Sequence, residues 1–234
     1  MEEVLSDTLF TVFGIPIQDI VVHTWIVMAV LISLAWIAGR NLRVRPRPWQ
    51  HVLEMFTDYI SGLIAQRSKR EIPGLFKLAA TMMLFIVVAN LLGIIPGLKA
   101  PTRSLSTTLA LSFCSLVAVH YFGVQSQGAG NYFKSFIEPV GVAFIVLPLN
   151  LIGEVSRLAS MALRLFGNIM AGEIIVAVMY RLVPLVAPIP FVLLSSLTGV
   201  LQALVFTFLT IVFIIDAAGE PEEVDEADPL GSAA

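Results

Sequence analysis

Apolar residues fall along this chain in long runs, at 24–39, 78–98, 105–124, 139–153, 158–180 and 189–215. Runs near or above roughly 18 residues have the length that crosses a bilayer as a helix, and a soluble core has no use for so many. Residues 48–66 break the pattern. There Trp49, Val52, Leu53, Phe56, Ile60, Leu63 and Ile64 recur at helical spacing, while Gln50, Glu54, Asp58 and Ser61 fill the other face. That alternation predicts an amphipathic helix lying on the membrane surface. Pro96, Gly97, Pro101 and Thr102 mark a tight turn between the second and third spans. From Pro139 to Leu182 no turn is evident, although about 44 residues of helix would reach roughly 66 Å and the hydrocarbon core is only about 30 Å thick. The segment therefore either folds back on itself or crosses at a steep tilt, bent near Pro148 and Gly153, and tilt or bend is the reading adopted. Pro184, Pro188 and Pro190 end it, and a last long helix follows. The expectation is an all-α membrane protein. It has one integral membrane domain over 1–219, about five crossing helices (near 24–39, 75–97, 105–124, 139–182 and 189–217) and the interfacial helix 48–66, with the last two crossings long and steeply tilted.

Composition agrees: 57% of the 234 residues are hydrophobic and 13% charged, against roughly a quarter charged in soluble domains. The net charge of −3 hides an asymmetry. Arg40, Arg43, Arg45 and Arg47 follow the first span, and Arg67, Lys69 and Arg70 precede the second. The positive-inside tendency places 40–73 in the cytoplasm and the N-terminus outside. Lys99 and Arg103 then belong outside and Lys134 inside, and an odd number of crossings returns the acidic tail 220–234 to the cytoplasm as a disordered end. Met1, Glu2 and Glu3 are unlike the basic start of a cleavable signal, so the first span is expected to be retained. The single cysteine, Cys114, excludes a disulfide within the chain and reads as a packing residue.

Ionisable groups at membrane depth are expensive, so chemistry is sought where they cluster. One segment, 150–173, carries Asn150, Glu154, Arg157, Arg164, Asn168 and Glu173. On a helix Glu154 and Arg157 can pair three residues apart. Arg164 and Arg157 nearly share a face, and Asn168 lies one turn beyond Arg164. Glu173, nine residues on, lies about 180° around and roughly 13 Å along the axis, so it cannot neutralise Arg164 within one straight helix. A guanidinium does not shed its proton. Arg164 must then meet water, carbonyls or a carboxylate, either Glu154 or Glu173 across helices or one belonging to another protein, and the charge tally does not choose. The last helix adds Ser195, Ser196, Thr198, Gln202, Thr207 and Thr210, of which Ser195 and Gln202 share a stripe that is either helix glue or the lining of a hydrated path. Asn90, alone in the second span, reads as interhelical glue.

No GxxxxGK[ST] loop, HExxH motif or nucleophile elbow occurs, so no nucleotide site, metal, cofactor, catalytic residue or nucleic-acid partner is expected. One rival is a secondary transporter with Glu154, Arg157, Arg164 and Glu173 at midmembrane. It expects an internal repeat, and no other segment is similar to 150–173.

The runs LRLFGNIMAGE (163–173) and LQALVFTFLTIVFI (201–214), with HTW (23–25), NLLGIIPG (90–97), PTRSLSTTLALS (101–112) and NLIGE (150–154) in order, resemble the subunit a family of F-type ATP synthases. The resemblance covers nearly the whole chain up to about Gly219. It implies an ion-translocating stator with two half-channels, in which Arg164 is the essential arginine facing the carboxylates of a rotor c-ring. It also implies polar channel roles for Asn168 and Glu173, and a glutamine facing the arginine at Gln202. Ser195 stands where some members carry histidine, which leaves Glu173 without the partner proposed in those members. The implied partners are the c-ring, the subunit b peripheral stalk, the remaining ATP synthase subunits and the lipid bilayer. The implied location is a bacterial-type inner membrane or an equivalent energy-coupling membrane.

Overall fold

The computed structural model describes residues 8–12, 15–40, 48–68, 72–95, 98–135, 143–183 and 188–219. Among these, seven α-helices follow a short antiparallel hairpin of β1 (Thr8–Val12) and β2 (Ile15–Gln18). The helices are α1 (Asp19–Arg40), α2 (Pro48–Ala65), α3 (Leu75–Leu92), α4 (Leu105–Gln127), α5 (Ala129–Ser135), α6 (Ala143–Leu182) and α7 (Pro188–Ala217). Five of them, α1, α3, α4, α6 and α7, are long and apolar enough to cross a membrane. The protein is an all-α membrane protein. The hairpin and the short α5 were not foreseen, and the acidic tail lies outside the described residues.

Breakers place the helix ends. Gly74, at φ +95°, opens α3, and Gly128, at φ +81°, follows α4. Both angles are easy only without a Cβ. Between α3 and α4 the chain makes one 3-10 turn, Pro101–Arg103, with proline at its first position. This connector turns out to organise one end of the molecule.

The segment 143–182 does not fold back. It is one helix of 40 residues, roughly 60 Å long by rise alone, or about twice the hydrocarbon thickness. Such a helix fits a bilayer only at a slant or with an end standing in water. Pro148 lies in its second turn and removes one ladder bond without ending the helix.

Packing centres on α3 and α7. Toward the α5 end, Ile60, Leu75, Ala79, Met83, Val119, Phe122, Ile211 and Ile214 form a buried cluster that joins α2, α3, α4 and α7. Midway, Met82, Ile86, Met161, Leu165, Ile169, Ala203 and Phe206 join α3, α6 and α7. A smaller group, Val27, Ala89 and Leu92, docks α1 on α3. In α2, Ile60 is buried, with Phe56, Leu63 and Ile64 packed beside it, while Val52 and Met55 stay exposed. Gln50, assigned to the solvated face from the pattern, is instead buried and donates to Glu54 Oε1 at 2.9 Å. Cys114 is a second correction. It is exposed, and it lines a wide apolar groove between α1, α3 and α4 instead of packing in a core.

Asn90 is glue, as its isolation in an apolar run suggested. Its Nδ2 donates to the Gly199 carbonyl of α7 at 2.8 Å, and its Oδ1 accepts from Thr102 Oγ1 of the connector. A Cβ on Gly199 would stand 3.0 Å from Asn90 Cβ, so the glycine is what lets α3 and α7 approach this closely.

Candidate functional site

The polar residues of α6 are distributed to three places. Arg164 is exposed on the outward surface, and its Nη2 reaches only Ser160 Oγ, one turn back, at 3.4 Å. Among the described residues no carboxylate pairs with it. Around it the surface is apolar and in part small: Leu163, Gly167, Ala171 and Ile174 on α6, and Leu197 and Leu201 on α7, are exposed. Gly167 has open space where a Cβ would stand.

Toward the connector, α6 helps enclose a cavity of about 270 Å³ lined by Asn90, Lys99, Arg103, Glu173, Tyr180 and Ser195, among others. Glu173 Oε2 accepts from Arg103 Nη1 at 3.2 Å. Its partner is thus not Arg164. Lys99 Nζ pairs with Asp19 Oδ2 at 3.0 Å, and His23 Nδ1 lies 3.0 Å from Asp19 Oδ1, so the start of α1 is tied to the same end. A Cβ on Gly172 would collide with Ser195 Oγ. The glycine therefore brings α6 and α7 together beside Glu173.

Toward α5, a second cavity of about 360 Å³ is lined by Gln127, Tyr132, Asn150, Glu154, Arg157 and Asp216, among others. Arg157 Nη1 pairs with Glu154 Oε1 at 3.4 Å, and its guanidinium lies 4.1 Å from the centre of the Phe213 ring. The other carboxylate oxygen, Glu154 Oε2, is buried and has no hydrogen-bond partner among the described residues. Gln127 Nε2 caps the end of α7 by donating to the Ala217 carbonyl at 3.0 Å. Burial of Tyr132, which lies outside the spans, raises its phenol above the ordinary value of 10.0, and the nearby charge of Glu154 adds to the effect.

Glu154 and Glu173 are nineteen residues apart on one helix, about 28 Å, which is close to the hydrocarbon thickness. Between the two cavities lies the apolar cluster of Met161, Leu165, Ile169, Ala203 and Phe206. Arg164 sits at the same level but faces outward. Asn168 Nδ2 donates to Gln202 Oε1 at 2.7 Å, joining α6 to α7 one turn beyond the arginine. Of the last helix's other polar residues, Thr210 bonds Ser115 at 2.9 Å, and Ser196 bonds back to the Val192 carbonyl at 2.7 Å. These two are glue. Among the described residues no three His, Cys, Asp or Glu side chains are grouped to hold a metal.

The sequence had marked Arg103 and Lys99 only as votes on topology, and had not singled out Asp19, Gln127, Tyr132 or Asp216. Lone charged residues at the ends of apolar runs were the available signal.

The family model described as ATP synthase A chain matches residues 21–215. The chain belongs to that family. It is 42% identical over 212 residues to ATP synthase subunit a 2 of Picosynechococcus sp., covering 89% of each chain. It is 39% identical over 214 residues to ATP synthase subunit a of Moorella thermoacetica, covering 92% of this chain and 97% of the relative. A third relative, ATP synthase subunit a 2 of Bradyrhizobium sp., is 39% identical over 92% of this chain and 95% of its own. Family membership favours a place in a membrane complex over the solitary transporter that the charge cluster alone allowed.

Proposed function

We propose that the chain is the ion-translocating, non-catalytic stator subunit of a rotary ATP synthase. In this reading the two cavities are half-channels opening to opposite faces of the membrane, and Arg164 faces the carboxylates of a c-ring. The observation that carries it is the separation of two polar cavities by an apolar cluster, with a guanidinium on the outward surface between them that no carboxylate pairs among the described residues. On this reading an ion that enters one cavity does not cross the apolar side chains of that cluster to reach the other. It has to leave the chain and be carried past Arg164 by a partner.

The chemistry follows from charge. A rotor carboxylate arriving at Arg164 is favoured in its ionised form, so it releases its ion into one half-channel and reloads from the other. The same fixed charge repels a free cation that would slip between the channels. Each charge moved across 100 mV is worth about 2.3 kcal/mol, so a leak here would dissipate the driving force. The connector-side cavity serves the outside and the α5-side cavity the cytoplasm, because basic residues flank the α1–α3 connection. The N-terminus is then outside and the C-terminus inside an energy-coupling membrane of the bacterial inner type. The apolar surface around Arg164 seats the c-ring. The groove between α1, α3 and α4 leaves a separate surface for the subunit b stalk, and ATP chemistry belongs to other subunits.

Arg164→Ala tests this in the assembled complex. Ion-driven ATP synthesis is expected to vanish while the subunits still copurify, and Arg164→Lys is expected to fail as well, since an ammonium lacks the planar fork and can lose its proton. Normal synthesis by Arg164→Ala complexes would sink the assignment. Cysteines at Gly167 and Leu201 are expected to crosslink to the rotor helix, and a cysteine at Met161 is not.

A further inference from the structure

Among the described residues, three Lys or Arg ion pairs stand at the ends of the spans, and one of them joins separate elements with both its members lining a cavity. Glu154 and Arg157 share a helix, and Lys99 and Asp19 join two outer ends, whereas Arg103 of the connector holds Glu173 of α6 with both side chains lining the connector-side cavity. Neither member is free to drift. Arg103 N donates to the Ala100 carbonyl at 3.1 Å, and its neighbour Thr102 is tied through Asn90 to α7. Glu173 is fixed by the close approach of Gly172 to Ser195. The side chains are 17% and 32% exposed, so the pair is partly wetted from the cavity.

Among the described residues Glu173 is the one carboxylate that lines this cavity. The groups around it are Arg103 and Lys99 from the connector, Ser195 and Ser196 from α7, Asn90 from α3 and Tyr180 from α6. Lys99 already has Asp19, which His23 of α1 also touches. A cation that uses Glu173 therefore meets a carboxylate already held by a guanidinium that keeps its proton.

We propose that Arg103 gates the connector-side cavity by competing with the transported ion for Glu173, so that it sets the ion concentration at which this cavity loads. The proposal rests on the half-channel reading above. Arg103 is a positioning residue: it acts through Glu173 and does not carry the ion. Attraction between opposite charges at this distance is substantial even at the effective dielectric of a protein surface. Discounted for partial exposure, it leaves roughly a tenfold effect on loading.

The test is ATP synthesis by the whole complex in liposomes at a fixed membrane potential, titrating H⁺, and Na⁺ at constant pH, on the connector side. The wild type identifies the ion. Arg103→Gln is expected to lower the half-maximal concentration of that ion about tenfold, and Arg103→Lys to bring it back toward the wild-type value. In a Glu173→Gln background the Arg103→Gln shift is expected to disappear. Where Glu173→Gln complexes make too little ATP to titrate, Glu173→Asp replaces them, and a shift smaller than in the wild-type background is expected. An unchanged half-maximal concentration in Arg103→Gln overturns the gate. So does a shift of full size in either Glu173 background, because Arg103 would then act independently of Glu173. Retained synthesis in Arg164→Ala complexes instead overturns the half-channel reading beneath it.

Discussion

The two polar cavities are built on different plans. The one beside the connector is held by contacts between elements distant in sequence: Arg103 with Glu173, Lys99 with Asp19, and Thr102 through Asn90 to Gly199. The one beside α5 keeps its central ion pair within a single helix, where Glu154 and Arg157 are three residues apart. A pair within one helix survives any shift of that helix against its neighbours. A pair across elements does not, so the connector-side cavity is a tertiary construction, sensitive to packing, while the other carries its charges as local structure.

That difference is most exposed by breaking the tertiary anchor. Asn90→Leu removes two buried hydrogen bonds and strands the Thr102 hydroxyl, which is expected to destabilise the protein by about 2–4 kcal/mol. The Arg103–Glu173 geometry should suffer while the α5-side cavity remains intact. Thermal unfolding of the detergent-solubilised complex measures the first effect. Crosslinking between positions 127 and 217 reports the second, and loss of that crosslink would contradict the independence of the two ends. Next in size is Glu173→Gln, which keeps the shape and one acceptor but removes the titrating charge. Ion flux through reconstituted complexes is expected to fall roughly tenfold or more without uncoupling the rotor.

The comparison is sharpened by combining Glu154→Gln with Glu173→Gln. Across about 28 Å with no shared partner, their effects on flux should multiply, with a coupling within about 0.5 kcal/mol. Much larger coupling would mean that the apolar cluster does not insulate the two cavities. Arg157→Gln leaves the largely buried Glu154 carboxylate without its cation and removes the guanidinium from the Phe213 ring, which is expected to cost about 1–3 kcal/mol of stability. The smallest effect concerns Tyr132. Its raised phenol pKa means that the neutral form is the stabilised one, so its contribution is complete below the unfolded value of 10.0 and is lost as pH rises through the folded value. Tyr132→Phe should flatten that alkaline loss in unfolding scans and leave stability at neutral pH little changed.

The sequence made the local features legible and left the tertiary ones hidden. Apolar runs disclosed five crossings, and the lack of an evident turn between Pro139 and Leu182 pointed to one long helix, bent or tilted. Helical spacing disclosed the Glu154–Arg157 pair and showed that Glu173 cannot serve Arg164. Asn90 as glue was legible because a lone amide in an apolar run has few other uses. The partner of Glu173 was not legible. Periodicity gives the face on which a residue lies but not which helix is rotated toward that face, and Arg103 stands seventy residues away behind a turn rich in breakers. The same limit misplaced Cys114, since an apolar run looks alike whether it faces protein or a groove. It also hid the Asn168–Gln202 bond, because Gln202 was matched to the arginine instead of to the residue one turn beyond it.

The Asn90 clip has a mechanical meaning. A stator that turns a ring feels a sideways thrust with every step, delivered to the surface formed by α6 and α7. Each ion contributes work of about 2.3 kcal/mol per 100 mV, comparable to the strength of a few hydrogen bonds. The clip ties α7, the last turn of α3 and the connector into one brace at the end of the molecule where Gly172 brings α6 against Ser195 of α7. On the stator reading proposed above, thrust received by the two long helices would pass through that brace into the α1–α3–α4 frame, where the recoil is taken up instead of twisting α6 out of register with a rotor.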